Sequence, residues 1–217
     1  MFEETAFDPT DKQQLKIYIR MNAITLNKKQ SNILEAAKTL FWKYGFKRVS
    51  IEEICREAKV SKVTFYKFYP NKIELAKAVL DNVVETATVD FRTLIENVTS
   101  TANLLEEMLN MKKDGVHDIS KEFLSDFYAD STLGLKEHIA MKSQEIMVEM
   151  VADMKKLQHR GLIRKDLNIE FFLYFSKQMN TLMEDSYLLS LFPTAEGLIM
   201  EITNFFTYGM APRNDQQ

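Results

Sequence analysis

From residue 27 onward, apolar residues recur at helical spacing in one segment after another. Ile33, Leu34, Ala37, Leu40, Phe41 and Tyr44 form the first stripe, and Gly45 stands where a helix stops. Ser50 with Glu53 then makes a capping box, followed by Ile51, Ile54, Cys55 and Ala58 at i, i+3, i+4 and i+7. Ala58 is small where another helix must cross closely, Val60 plugs a tight turn, and Ser61 is placed to cap the next helix. In that short helix Phe65, Phe68 and Tyr69 supply the inward face, which leaves Lys62, Thr64, Tyr66 and Lys67 outward. Asn71 with Glu74 repeats the capping logic for a helix running from 72 toward 89 or beyond, with Leu75, Val79 and Val83 inward. Further helices are expected over 101–111, 120–128, 133–159, 169–191 and 195–208, with breaks at Gly115, Gly161 and Pro193 and a cap from Asp166 or Asn168. Residues 1–26 lack a clear apolar period until LKIYI and read as a flexible arm with a short helix at 15–21. The stretch from Ala211 should fray.

Composition narrows this to an all-α chain, since only 6 glycines and 4 prolines interrupt 217 residues. With 46% hydrophobic side chains, the chain can bury a substantial core as one unit or two small domains. There is no run of eighteen apolar residues and the amino terminus is acidic and polar, so neither a membrane span nor a secretory signal is expected, and the cytoplasm is the expected location. The single cysteine excludes an internal disulfide, and Cys55 on the inward stripe reads as a small core residue. The net charge of −3 conceals an asymmetry: residues 1–80 carry 15 Lys and Arg against 9 Asp and Glu, the rest 13 against 22. The basic end clusters Lys47, Arg48, Lys59, Lys62, Lys67 and Lys72 around helix starts, a surface suited to DNA phosphates.

Residues 50–69 therefore read as a helix-turn-helix, whose second helix enters the major groove while the first crosses the backbone. Lys62 and Thr64 are the base-reading candidates, lysine through guanine O6/N7 and threonine through its hydroxyl and methyl. Tyr66, Lys67 and Lys72 are phosphate candidates, with Lys47 and Arg48 beside them. Ser50 and Ser61 serve phosphates at helix starts or serve purely as caps; Val63 meets a thymine methyl or merely packs. One such helix buries only about 600–1,000 Å², so two must act together. A two-fold dimer with its reading helices about 34 Å apart, or a multiple of that, implies an inverted-repeat operator.

The ordered motifs from Ile33, ILEAAKTLFWKYGFKRVSIEEI, and from Ala58, AKVSKVTFYKFYPNK, resemble the TetR family of bacterial transcriptional regulators over about residues 27–87. Two positions depart from that pattern: Lys59 and Val63 stand where the family usually has glycine, and lysine carries a steric cost at positive φ. The resemblance implies a three-helix amino-terminal domain at 27–87 and a helical ligand-binding and dimerisation domain at 88–217. The implied activity is a ligand-released repressor without cofactor, metal or membrane partner. In the family the tyrosine matching Tyr66 and the lysine matching Lys72 commonly hold phosphates. The helices at 169–191 and 195–208 look like its paired carboxy-terminal helices, and Phe171, Tyr174, Leu182, Leu198, Ile199, Ile202, Phe205 and Phe206 load them with more apolar surface than one core requires. Met147, Met150 and Met154 share helical spacing, as do Met179 and Met183. Each methionine alone reads as core; with Phe123, Phe127, Phe172 and Phe175, and with the resemblance, the set reads as lining for a small apolar or aromatic ligand.

The raw material for an enzyme would be His117, Asp118, Asp126, His138 and His159, but the histidines lie 21 residues apart and form no ligand pair. A metal-dependent enzyme, or a helical adaptor keeping the helix-turn-helix only for packing, is the alternative function.

Overall fold

Side-chain caps start the helices at residues 51, 62 and 72 where the sequence places them. In this computed structural model, which describes residues 28–129, 133–179, 182–183 and 185–212, the head comprises α1 (Lys28–Tyr44), α2 (Ile51–Glu57), α3 (Lys62–Phe68) and the start of α4 (Lys72–Asn97). The expected arm at 1–26, with its helix at 15–21, lies outside the described residues, as do the last five residues of the tail. The Ser50 amide donates to Glu53 Oε2 at 2.8 Å and the Glu53 amide to Ser50 Oγ at 3.2 Å, closing the capping box. Ser61 Oγ accepts from the Thr64 amide at 3.1 Å, and Asn71 Oδ1 from the Glu74 amide at 2.9 Å. Ile54, Cys55, Ala58, Phe65 and Tyr69 are buried against Ile33, Ala37 and Phe41 of α1, so the apolar periods point as their spacing requires.

Lys59 sits in the turn between α2 and α3 with φ 54°, the left-handed region that favours glycine. An L-residue there carries about 1–2 kcal/mol of strain. Lys59→Gly should therefore raise the stability of the protein by about 0.5–1 kcal/mol, after the greater freedom of glycine in the unfolded chain is subtracted. A denaturant midpoint that falls instead would mean that the lysine side chain makes contacts outweighing the strain.

The body continues with α5 (Thr101–Val116), α6 (Lys121–Ala129), α7 (Leu135–His159), α8 (Ile169–Met179), α9 (Ser186–Ser190) and α10 (Ala195–Gly209), and no strand occurs among the described residues. Two expected boundaries move. Gly115 does not break the chain but lies in the last turn of α5, where its carbonyl accepts the Trp42 indole N–H at 3.2 Å. The single helix expected over 169–191 is two, because Asp185 stands outside helical geometry and its carboxylate caps the amides of Tyr187 and Leu188 to begin α9. Asn168, not Asp166, caps α8, accepting from the Phe171 amide, while Asp166 pairs with Arg164 at 3.0 Å.

The 26-residue α4 runs without interruption through the boundary expected at residue 87. Its first half packs into a cluster that joins the head to the near end of the body, including Phe123, Leu124 and Phe127 of α6 and Ile199 of α10. Its second half, through Phe91 and Ile95, belongs to a distal cluster with Leu104, Met154, Leu157 and Met210. The head thus does not close its core alone. Polar contacts tie α4 to α7 along its length: Asp81 Oδ1 lies 2.8 Å from His138 Nε2, Arg92 pairs with Glu149 and with the buried Asp153, and Arg160 donates to the carbonyls of Ile95 and Val98 beyond the end of α7. No helix among the described residues is long and apolar enough to cross a membrane.

Candidate nucleic-acid interface

The outward face of α3 carries Lys62, Val63, Tyr66 and Lys67, which stand at i, i+1, i+4 and i+5 and so share one side of the helix. Val63 is 69% exposed and Tyr66 53% exposed, both large apolar bodies left in water. Val63 stands outside the apolar core formed by the described residues. Tyr66 stands edge-on to the buried Phe65 ring at 5.3 Å, which supports the phenol from behind. Thr64 is half-buried, and its hydroxyl lies 3.0 Å from Ser61 Oγ, so the Thr64 and Ser61 hydroxyls engage each other as well as the cap. Ser50 is likewise engaged in its capping box, with Oγ donating to Glu53 Oε2 at 2.9 Å.

Lys62 pairs with Glu52 of α2 across the turn. The pairing holds the Glu52 carboxyl below its ordinary range and raises the Lys62 ammonium. Both partners are exposed, so the bond is weak and screened by salt. It parks the lysine at the edge of the reading face without binding it firmly.

Lys72 is placed differently from its expected phosphate role. Its ammonium reaches back under the α1–α2 turn and donates to the carbonyls of Phe46 at 2.8 Å, Val49 at 2.8 Å and Lys47 at 3.3 Å, over the Phe46 ring at 4.4 Å. An ammonium has three protons, and all three are used within the head. Burial pushes its pKa down, against the opposing pull of the Asp126 and Glu53 carboxylates. Lys72 is thus a bolt of the turn. The turn presents Lys47 and Arg48 outward, with the Arg48 guanidinium 4.4 Å from the centre of the Tyr44 ring. Asp126 of α6, read from the sequence only as possible enzyme material, accepts the Lys47 amide at 2.8 Å and lies 3.9 Å from its ammonium. No local signal marks that contact, since its partners are 79 residues apart.

The expected ligand lining is not assembled at one place. Phe123, Phe127 and Met183 are buried beside the head, where the Phe123 ring lies tilted against Trp42 at 4.5 Å. Met150, Met154 and Phe172 belong to the distal cluster, Met147 is half-buried on α7, Phe175 is 42% exposed, and the Met179 side chain lies outside the described ones. An open cleft of about 480 Å³ lies elsewhere, between Leu105, Glu106 and Leu109 of α5 and Tyr208 of α10. The expected interface also divides. Leu198 and Ile199 are buried within their own chain, because α10 turns that side toward its own core, and are withdrawn from any partner surface. Leu182, Ile202 and Phe206 are half-buried, while Phe171, Tyr174 and Phe205 are exposed. Phe175 joins this outer face, stacked on Phe171 at 5.7 Å and 5.7 Å from Phe206. Spacing at i, i+4 from Phe171 is the signal that would have found it.

The three histidines are equally dispersed, His138 on α4's Asp81, His117 near Glu196 at 3.8 Å and His159 exposed in the last turn of α7.

Comparison with known proteins places this geometry. The family model for bacterial regulatory proteins, tetR family, matches residues 33–79, which include all of the helix-turn-helix. The HTH-type transcriptional regulator YdeS of Bacillus subtilis (strain 168) is 29% identical over 143 residues, 64% of this chain and 69% of its own. The fatty acid degradation regulator FadR from Bacillus halodurans matches in fold with a TM-score of 0.61 at 14% identity, over 85% of this chain and 97% of that one. A transcriptional regulator FadR from Bacillus subtilis, solved in complex with stearoyl-CoA, gives a TM-score of 0.56 at 13% identity over 82% and 98%. The structural matches extend the shared fold through the body, beyond the reach of the family model.

Proposed function

The chain belongs to the tetR family of bacterial regulatory proteins and is a DNA-binding transcriptional regulator rather than an enzyme, and on that premise we propose how it regulates. It is a repressor. Two copies, paired through α8 and α10, set their α3 helices about 34 Å apart, or a multiple of that, over an inverted-repeat operator. A small, largely apolar ligand in the carboxy-terminal domain releases them.

The observation that carries this reading is the α3 face, where Val63 and Tyr66 stand in water between Lys62 and Lys67. A solvent-exposed valine and tyrosine on so short a helix add little to the core, but they suit a thymine methyl and a phosphate with its sugar. Lys62 leaves its weak pairing with Glu52 to donate to a base edge. Support for release by a ligand comes from the stearoyl-CoA held by a regulator of the same fold, and from the methionine and phenylalanine content of both apolar clusters.

Selection of bound duplexes from a random pool, repeated at several salt concentrations, tests the proposal. An inverted repeat with a steep salt dependence is the expected product; a recovered site without two-fold symmetry sinks the paired reader. On the recovered duplex, Lys62→Ala and Tyr66→Ala should each cost about 1–3 kcal/mol of binding without changing the melting temperature. Wild-type affinity in both variants would return the helix-turn-helix to a packing role. Addition of small apolar molecules to the complex then reads the release directly.

A further inference from the structure

We infer that Asp126 of α6 is a positioning residue for DNA binding: it fixes the α1–α2 turn and withholds the Lys47 ammonium from the phosphate backbone while the body is docked on the head. The inference rests on the reading of Lys47 as a phosphate ligand. Asp126 is not simply a surface carboxylate near a surface lysine. Its Oδ2 accepts the Lys47 backbone amide at 2.8 Å, its Oδ1 lies 3.9 Å from Lys47 Nζ, and its side chain is 15% exposed against 56% for the lysine. The carboxylate is therefore held, and the lysine is the more exposed of the two.

The element carrying Asp126 is itself fastened to the head. The Ser120 amide donates to the Trp42 carbonyl at 2.8 Å, the Trp42 indole donates to the Gly115 carbonyl, and the Trp42 and Phe123 rings lie 4.5 Å apart. Residue 45 permits this approach only as glycine. It has φ +82°, and a Cβ there would stand 2.8 Å from Asp126 Oδ2 and 3.2 Å from Glu122 Cβ. The same turn is held from within the head by Lys72, so one loop is gripped by an ammonium on its carbonyls and by a carboxylate on its amide. A carboxylate at this place draws Lys47 inward and adds a negative charge near the DNA path. The pair is exposed on the lysine side and weak enough for a phosphate to compete.

Asp126→Asn keeps an oxygen for the Lys47 amide and removes the charge. Measured on the duplex recovered by selection and on a random-sequence duplex, it should bind both about three- to fivefold tighter, with the slope of log affinity against log salt steeper by about one phosphate contact, roughly 0.9. Lys47→Ala should weaken both duplexes, and adding Asp126→Asn to it should change nothing further. Should Asp126→Asn fail to fold, Asp126→Ser is read in the same way. Weaker binding at unchanged salt slope would mean that Asp126 only builds the turn, and unaltered binding would remove it from the interface; either overturns the inference. A silent Lys47→Ala overturns both the inference and the phosphate reading on which it rests, whereas a weakened Lys47→Ala beside a silent Asp126→Asn overturns the inference alone.

Discussion

The Lys72→Met variant is expected to lose about 3 kcal/mol of stability and to bind its operator at least tenfold more weakly, although Lys72 touches no DNA in this reading. Methionine preserves the length and apolar packing of the stem against Phe46 but deletes three donors. The carbonyls of Phe46, Lys47 and Val49 are then left to water, which reaches the exposed Lys47 and not the buried Phe46 and Val49. Hydrogen bonds from a charged donor contribute about 1.5–3 kcal/mol each, and partial exposure keeps the total below their sum. The effect on DNA follows from geometry. Those carbonyls fix the path of the chain from Gly45 into Ser50, the start of the helix that crosses the backbone, and a turn that drifts carries Lys47, Arg48 and the angle of α2 with it. Denaturant unfolding measures the first effect and titration with the selected duplex the second. An unchanged midpoint would show that the turn holds its shape without the bolt, and would return Lys72 to the phosphate role its position in the sequence implies.

Lys72 also shows where sequence reasoning ends. The head is legible because its information is local: Ser50 and Glu53 are three residues apart, and the stripe of Ile54, Cys55 and Ala58 fits within two turns. A lysine opening a helix displays only its charge, and its true partners lie 23 to 26 residues earlier, across a turn whose shape no spacing states. Asp126 is further still from Lys47. In the body the periods identify helices and apolar faces but not which face meets which. Phe123 and Met154 both read as candidates for a ligand, yet α6 turns Phe123 onto Trp42 while α7 turns Met154 into the distal cluster beside Phe91. Leu198 and Phe205 share a helix with apolar residues around much of its girth. Only the packing of α10 against its own chain decides that the first is core and the second is surface.

Phe205→Asp is the variant expected to abolish pairing of the chains. Phe205 is 79% exposed, so an aspartate there disturbs little within one protomer, and circular dichroism and the unfolding midpoint should be those of the wild type. Its neighbour in sequence, Phe206, packs edge-on to Phe172 at 5.4 Å and is tilted against Phe175, which stacks on Phe171; Phe171, Tyr174 and Phe175 of α8 are exposed as well. An aromatic side chain presents about 150–250 Å², so these four exposed rings leave an apolar area comparable to the largest patch of a typical monomer, the kind that is often functional. If the face meets a second copy across a two-fold axis, each substitution enters the interface twice. It removes an aromatic anchor of about 2 kcal/mol or more and introduces a carboxylate that must be desolvated without a partner, at a further cost of several kcal/mol. A total of about 4 kcal/mol or more corresponds to a roughly thousandfold weaker dimer. Operator binding should fall by at least a hundredfold with it, since a single head offers only about 600–1,000 Å² to DNA. Light scattering across a concentration series reads the mass, and titration of the selected duplex reads the coupling. A variant that stays dimeric at wild-type concentrations places the partner on another surface, of which α7 offers one through the exposed Met141 and Val148.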